Sequence, residues 1–85
     1  MRILCVEENG ENTCLEATYA SYTDDVEEFD TDATEGLFIS CEGDNFLVPG
    51  IDKLSCNVIT ERLLINGYYD LTRETTRPLV RSVEE

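Results

Sequence analysis

Two stretches near the start of the chain have strand patterns, one a short apolar run and the other an alternation of apolar and polar side chains. Arg2 to Glu8 is rich in Ile, Leu, Cys and Val, and from Thr13 to Tyr22 the residues Leu15, Ala17 and Tyr19 alternate with Glu16, Thr18 and Ala20. A period of two predicts strands that bury one face. Asn9-Gly10-Glu11-Asn12 lies between them, and Asn-Gly supplies the positive backbone angles of a tight turn, so the two strands are expected to form a β-hairpin. Gly36 to Glu42 and Phe46 to Pro49 are two further apolar runs, separated by Gly43-Asp44-Asn45, and predict a second hairpin. Pro49 has no backbone N–H to give to a ladder and is expected at a strand end or edge.

The period then changes. Asp52 to Asn66 reads as a helix, with Asp52 or Ser55 placed to cap its start and Gly67 placed to end it in the left-handed conformation. Leu54, Val58 and Ile65 fall on one stripe of this helix, while Cys56, Ile59 and Leu63 fall on the opposite one, so the helix needs cover on two sides. In a thin domain the favoured reading is a core helix beneath a curved sheet, and the rival is that the second stripe binds a partner or makes a homodimer. Tyr68 to Arg73 and Leu79 to Val83 read as final strands around Pro78. The order of elements predicts an α+β fold in a single domain over residues 1–85, a small antiparallel sheet of hairpins packed on one main helix at residues 52–66.

Charge alters this picture most between the two hairpins. The 85 residues carry a formal charge of -13, and the excess is local: fourteen Asp and Glu stand against the single Arg2 through Asp52, while five acids balance five bases from Lys53 onward. Asp24, Asp25, Glu27, Glu28, Asp30, Asp32 and Glu35 place seven carboxylates in twelve residues, interleaved with Val26, Phe29 and Ala33. A second, short acidic helix over residues 24–34 would put those three apolar residues on one face, but Thr31, Asp32 and Thr34 are poor helix formers. A helical turn followed by a loop is the equal alternative.

Carboxylates three or four residues apart on a helix lie about 5–6 Å apart at Cβ, and alternate residues of a strand are about 6.6 Å apart. Both spacings approximate neighbouring phosphates of a nucleic-acid strand. Two carboxylates ~6 Å apart repel by roughly 0.7 kcal/mol even at the dielectric of water. A marginal domain tolerates that cost more readily where the charge has a use. In charge and length the chain is similar to the small acidic inhibitors, many of them from bacteriophages, that imitate nucleic acid and block DNA-binding enzymes. The resemblance implies a basic partner, a nucleic-acid-binding protein or enzyme. The contact residues expected from the charge pattern are Asp24, Asp25, Glu27, Glu28, Asp30, Asp32 and Glu35, with Phe29 adding apolar contact. A direct contact with nucleic acid is not expected, because the surrounding field repels phosphate.

Other chemistries find little support. The chain has no His, which removes the usual general base, the usual activator of Cys and Ser nucleophiles and the commonest metal ligand. Cys5, Cys14, Cys41 and Cys56 form no Cys-x-x-Cys pair and read as small core hydrophobes with free thiols. Asp30-Thr31-Asp32-Ala33-Thr34 resembles the Asp-x-Asp-x-Thr signature of haloacid-dehalogenase-type phosphotransferases, but it follows Glu27-Glu28-Phe29 instead of a buried apolar strand. As a calcium loop the same stretch would need a bidentate Glu where Cys41 stands. The expectation is therefore a binding protein, not an enzyme, with no cofactor and no metal. No run approaches the ~20 apolar residues of a membrane span, and the opening residues lack the charged and apolar regions of a signal peptide. A cytoplasmic location is expected, in the host cytoplasm if the protein is viral.

Overall fold

The computed structural model describes residues 1–73 and 78–82. Its elements are β1 (Arg2–Val6), β2 (Asn12–Thr23), β3 (Gly36–Cys41), β4 (Asp44–Pro49), α1 (Lys53–Asn66), β5 (Tyr68–Asp70), a 3-10 turn at Leu71–Arg73 and β6 (Val80–Arg81). One sheet of six strands runs in the order β5-β1-β2-β3-β4-β6. Neighbours are antiparallel except β1 and β5, which run parallel, and α1 carries the chain across the sheet between β4 and β5. This is the expected α+β architecture, with one parallel pair that hairpin signals do not announce.

Both hairpins form. Gly10 takes φ +85° in the first turn, its N–H donates to Glu7 O at 2.8 Å, and Asn9 Oδ1 accepts from the Glu11 N–H at 2.9 Å. The second turn closes one residue earlier than its composition suggests. Cys41 pairs with Asp44 across Glu42-Gly43, so Asp44 and Asn45 already belong to β4. Pro49 ends β4 as expected, opposite Gly36.

The caps of α1 follow the sequence. Asp52 Oδ1 accepts from the Ser55 N–H at 2.8 Å, and Gly67, at φ 72°, donates its N–H to Leu63 O at 2.8 Å. The first of these bonds holds the Asp52 carboxyl below its usual range, since it favours the ionised form. Cys56, Ile59 and Leu63 lie in the core beside Ile3, Leu37, Ile39 and Val48.

Burial of Cys56, Ile59 and Leu63 places the second stripe in the core, as favoured, and overturns the rival that set a partner contact on it; what the structure corrects is the expected cover on the opposite side. Leu54 is 78% exposed, Val58 48% and Ile65 73%, and Leu64 at 80% joins them. The sheet forms a single layer, so only one side of the helix finds an apolar face to cover.

A second correction concerns β2. The register with β3 shifts between Ala17 and Tyr19, where Thr18 Oγ1 donates to Ser40 O at 3.0 Å. Leu15 and Ala17 face the core before this bulge and Ala20 and Tyr22 after it, leaving Tyr19 55% exposed. An extra residue on one strand reverses which parity points inward. Beyond β4 the sheet curls until the N–H of Leu79, just before β6, donates to Val6 O at 2.8 Å at the end of β1. Of the two final strands expected, Tyr68 to Arg73 narrows to β5 plus the 3-10 turn, and the second is Val80–Arg81; its expected end at Val83 lies outside the described residues.

Candidate functional site

The acidic segment connects β2 to β3 and is a loop, not a helix. Its short polar side chains take the backbone groups a helix would need. Thr23 Oγ1 accepts from the Asp25 N–H at 3.1 Å, Asp25 Oδ1 from Glu27 N–H at 3.5 Å, and Thr31 Oγ1 from Ala33 N–H at 3.2 Å. Such local bonds compete with helical ones and explain why the segment 24–34 did not coil. A single turn survives in the middle, where Phe29 N–H donates to Val26 O at 3.0 Å.

Phe29 pins the loop. Its ring is 6% exposed, packs edge-on to Phe38 at 6.3 Å between centroids, and its backbone bridges to Ser82. Leu37 and Ile39 point from β3 to the same core as α1, so Phe38 between them points to the other face. The acidic loop therefore covers one side of the sheet and α1 the other. Phe29 is also withdrawn from the surface, which corrects its expected role as a partner contact. Aromatic burial at this point is what makes the loop stay in place.

The end of the loop is held separately. Tyr22 Oη donates to Glu35 Oε1 at 3.1 Å, and the N–H of Gly50 donates to Glu35 O at 2.9 Å. Partial burial, and then this bond to Glu35, raises the Tyr22 hydroxyl above its ordinary pKa. Glu35 is thus half-buried and engaged inside the molecule, unlike Asp24, Asp25, Glu27, Glu28, Asp30 and Asp32, which are all exposed.

Folding adds acids that the linear cluster did not include. Asp30 shares an open groove with Glu7, Glu8 and Asn9 of the first turn and with Leu79, Val80 and Arg81. Glu7 and Glu8 stand more than twenty residues away in sequence; only the curl of the sheet, which brings Leu79 to Val6, explains their approach. Arg81 lies with its guanidinium 5.1 Å from the centre of the Phe46 ring. Among the described residues the ion pair is Arg2 Nε to Glu16 Oε2 at 3.9 Å, between two exposed side chains, and none involves the loop carboxylates. Among the described residues no three Cys, Asp or Glu side chains converge as a ligand set.

The four thiols are unbridged. Burial, reinforced by Cys41 and Cys14, pushes Cys5 up to about 12 from 9.0, and burial with the nearby Asp52 and Glu35 carboxylates pushes Cys56 up to about 11. Cys41 is also raised, by burial and then by Asp44 and Glu16. A raised acid pKa means the folded state keeps protons that the unfolded chain has released, so stability falls as pH rises from about 9 towards 12. A urea midpoint at about pH 10.5 should accordingly lie well below that at about pH 8, and a Cys5→Ala/Cys56→Ala variant should lose less of its midpoint over that interval. In the native protein near neutral pH, a thiol reagent should modify exposed Cys14 first and leave buried Cys5 and Cys56 until denaturant is added. Rapid modification of all four would contradict the burial of Cys5 and Cys56.

No family model matches this chain, and no curated protein or solved structure matches it. No helix among the described residues is long and apolar enough to cross a membrane.

Proposed function

We propose that the protein occupies the basic groove of a nucleic-acid-binding protein and blocks it, its loop carboxylates standing where phosphates would otherwise lie. One observation carries this reading: Asp24, Asp25, Glu27, Glu28, Asp30 and Asp32 are exposed on a loop tethered at its centre and its end, with no ion pair among the described residues. Ordering the loop before contact lowers the entropy lost on binding. Like charge on one face steers a basic partner and raises the rate of encounter. Glu7 and Glu8 extend the contact, whereas Glu35 and Phe29 support it from within. The reading assigns no catalytic residue, cofactor or metal, and it places the action in the cytoplasm, the host cytoplasm if the source is a bacteriophage.

The test is capture from a bacterial lysate on tagged wild-type protein beside a variant with the six exposed loop acids changed to Asn or Gln. The expected result is one nucleic-acid-binding protein that wild type retains, the variant loses and added DNA releases. Its affinity should fall about tenfold or more between low and physiological salt, as screening weakens the charge contacts. Equal retention by both baits would sink the proposal.

A further inference from the structure

We infer that two copies of this chain pair through the exposed stripe of α1, about a two-fold axis running along the helices. The inference is independent of the acidic loop, which lies across the sheet from α1. Leu54, Val58 and Ile65 leave 48–78% of their surface in solvent, Leu64 leaves 80% beyond Glu61 on one flank of that stripe, and Tyr68 follows at 45%. Together they expose on the order of 500 Å² of largely apolar surface, towards the upper end of the ~300–600 Å² of a monomer's biggest patch, which is often a functional one. With a rim of Lys53, Asn57, Glu61 and Arg62 it approaches the ~800 Å² that each partner gives to a standard interface.

Charge selects a second copy as the occupant. Residues 1–52 hold fourteen acids and one base, so most of this molecule repels another like it. The α1 segment carries Lys53 and Arg62 against Glu61, which makes it the place where two such molecules can meet at the least cost in repulsion. A basic partner has no comparable reason to prefer it.

Charge also selects the orientation. At 3.6 residues per turn Glu61 falls on one flank of the Leu54–Val58–Ile65 stripe and Arg62 on the other. An antiparallel two-fold keeps flanks together and sets Glu61 against its own copy. A two-fold along the helices exchanges them, setting Glu61 beside Arg62 of the partner copy, twice. Leu54, Val58 and Ile65 then meet their counterparts, and Tyr69, which lines a shallow hollow with Leu54 and Val58, borders the seam.

Sedimentation velocity on the purified full chain tests this from about 1 to 100 µM. Wild type is expected to dimerise within that range, and more tightly in high salt, because screening relieves the net repulsion of two acidic chains. That sign is opposite to the one expected for the loop and its basic partner, so failure of either reading is separable from the other. Ile65→Asp should give a monomer whose melting temperature matches wild type at concentrations too low for wild type to dimerise, since Ile65 is 73% exposed. Glu61→Arg should weaken the dimer at least tenfold, and Glu61→Arg/Arg62→Glu should restore it. A wild type monomeric at 100 µM, or a double exchange that fails to recover what the single one loses, would overturn the inference.

Discussion

Changing Phe29 to alanine is expected to lower the melting temperature by roughly 10–20 °C, although the residue lies in a loop. Truncating a buried Phe typically costs about 3–5 kcal/mol, and the lower end applies where one side of the ring is covered by loop instead of core. In a domain of this size each kcal/mol moves the melting temperature by about 4–8 °C. The ring is 6% exposed against Phe38, and its backbone bridge to Ser82 joins the loop to the strand end beyond β6. Its loss should therefore free the loop as well as weaken the fold. Circular dichroism on heating measures the first effect. Limited digestion by a glutamate-specific protease measures the second, with faster cleavage after Glu27 or Glu28 than in wild type. A melting temperature within a few degrees of wild type, together with an unchanged digestion pattern, would mean that the loop is held by its local hydrogen bonds and not by Phe29. Partner binding should also weaken in this variant, with every carboxylate still present, because the loop would have to be ordered on contact.

Gly36→Ala is also expected to be destabilising, somewhat less so and for a different reason. A Cβ at Gly36 would run into the carbonyl oxygen of Val48, and would also sit 3.0 Å from Leu47 Cδ1 and 3.1 Å from Pro49 Cα. The nearest obstacle is backbone, in a partner strand fixed by its ladder with β3, so no rotamer change can make room. Relief requires prying β4 from β3 where Leu37, Leu47 and Val48 are all buried. Overpacking of this kind costs about 1–3 kcal/mol and occasionally more, against a total of roughly 4–13 kcal/mol for a chain of this length. Urea denaturation followed by tyrosine fluorescence should show a lower midpoint with a similar slope. A midpoint equal to wild type would show that the two strands can separate locally at little cost.

The parts of the fold legible in the sequence are those set by local chemistry. Asn9-Gly10 announces a turn because few other residues accept its backbone angles, and Asp52 with Gly67 marks a helix because their side chain and missing side chain satisfy its free ends. What escaped depends on distant partners. The bulge at Thr18 leaves no trace in an alternating pattern, so Tyr19 reads as core and Ala20 as surface when the opposite holds. The helix pattern shows two apolar stripes but cannot show that only one layer of sheet exists to cover them. The parallel pairing of β1 with β5 and the bond from Leu79 to Val6 join segments more than sixty residues apart.

The acidic loop was legible as a cluster and not as a shape. Its seven carboxylates and three apolar spacers are plain in the sequence, yet the same spacing suits a helix face or an anchored loop. Competition for backbone N–H groups by Thr23, Asp25 and Thr31 decided between them. Of the apolar spacers, Phe29 proved the anchor, and of the acids, Glu35 turned inward to Tyr22. Glu7 and Glu8 became neighbours of Asp30 only through the curl of the sheet.

The single sheet between the acidic loop and α1 has a consequence for how such a protein can change over generations. The loop presents Asp24 to Asp32 from one side, while Leu54, Val58 and Ile65 lie on the other, and no residue belongs to both sets. Substitutions more than about 7–10 Å apart with no shared partner usually act additively. Residues 24–32 can thus be rewritten in step with a drifting target without disturbing the helix, provided that Phe29 stays. The sheet acts as a firewall that lets one surface evolve quickly while the other stands still.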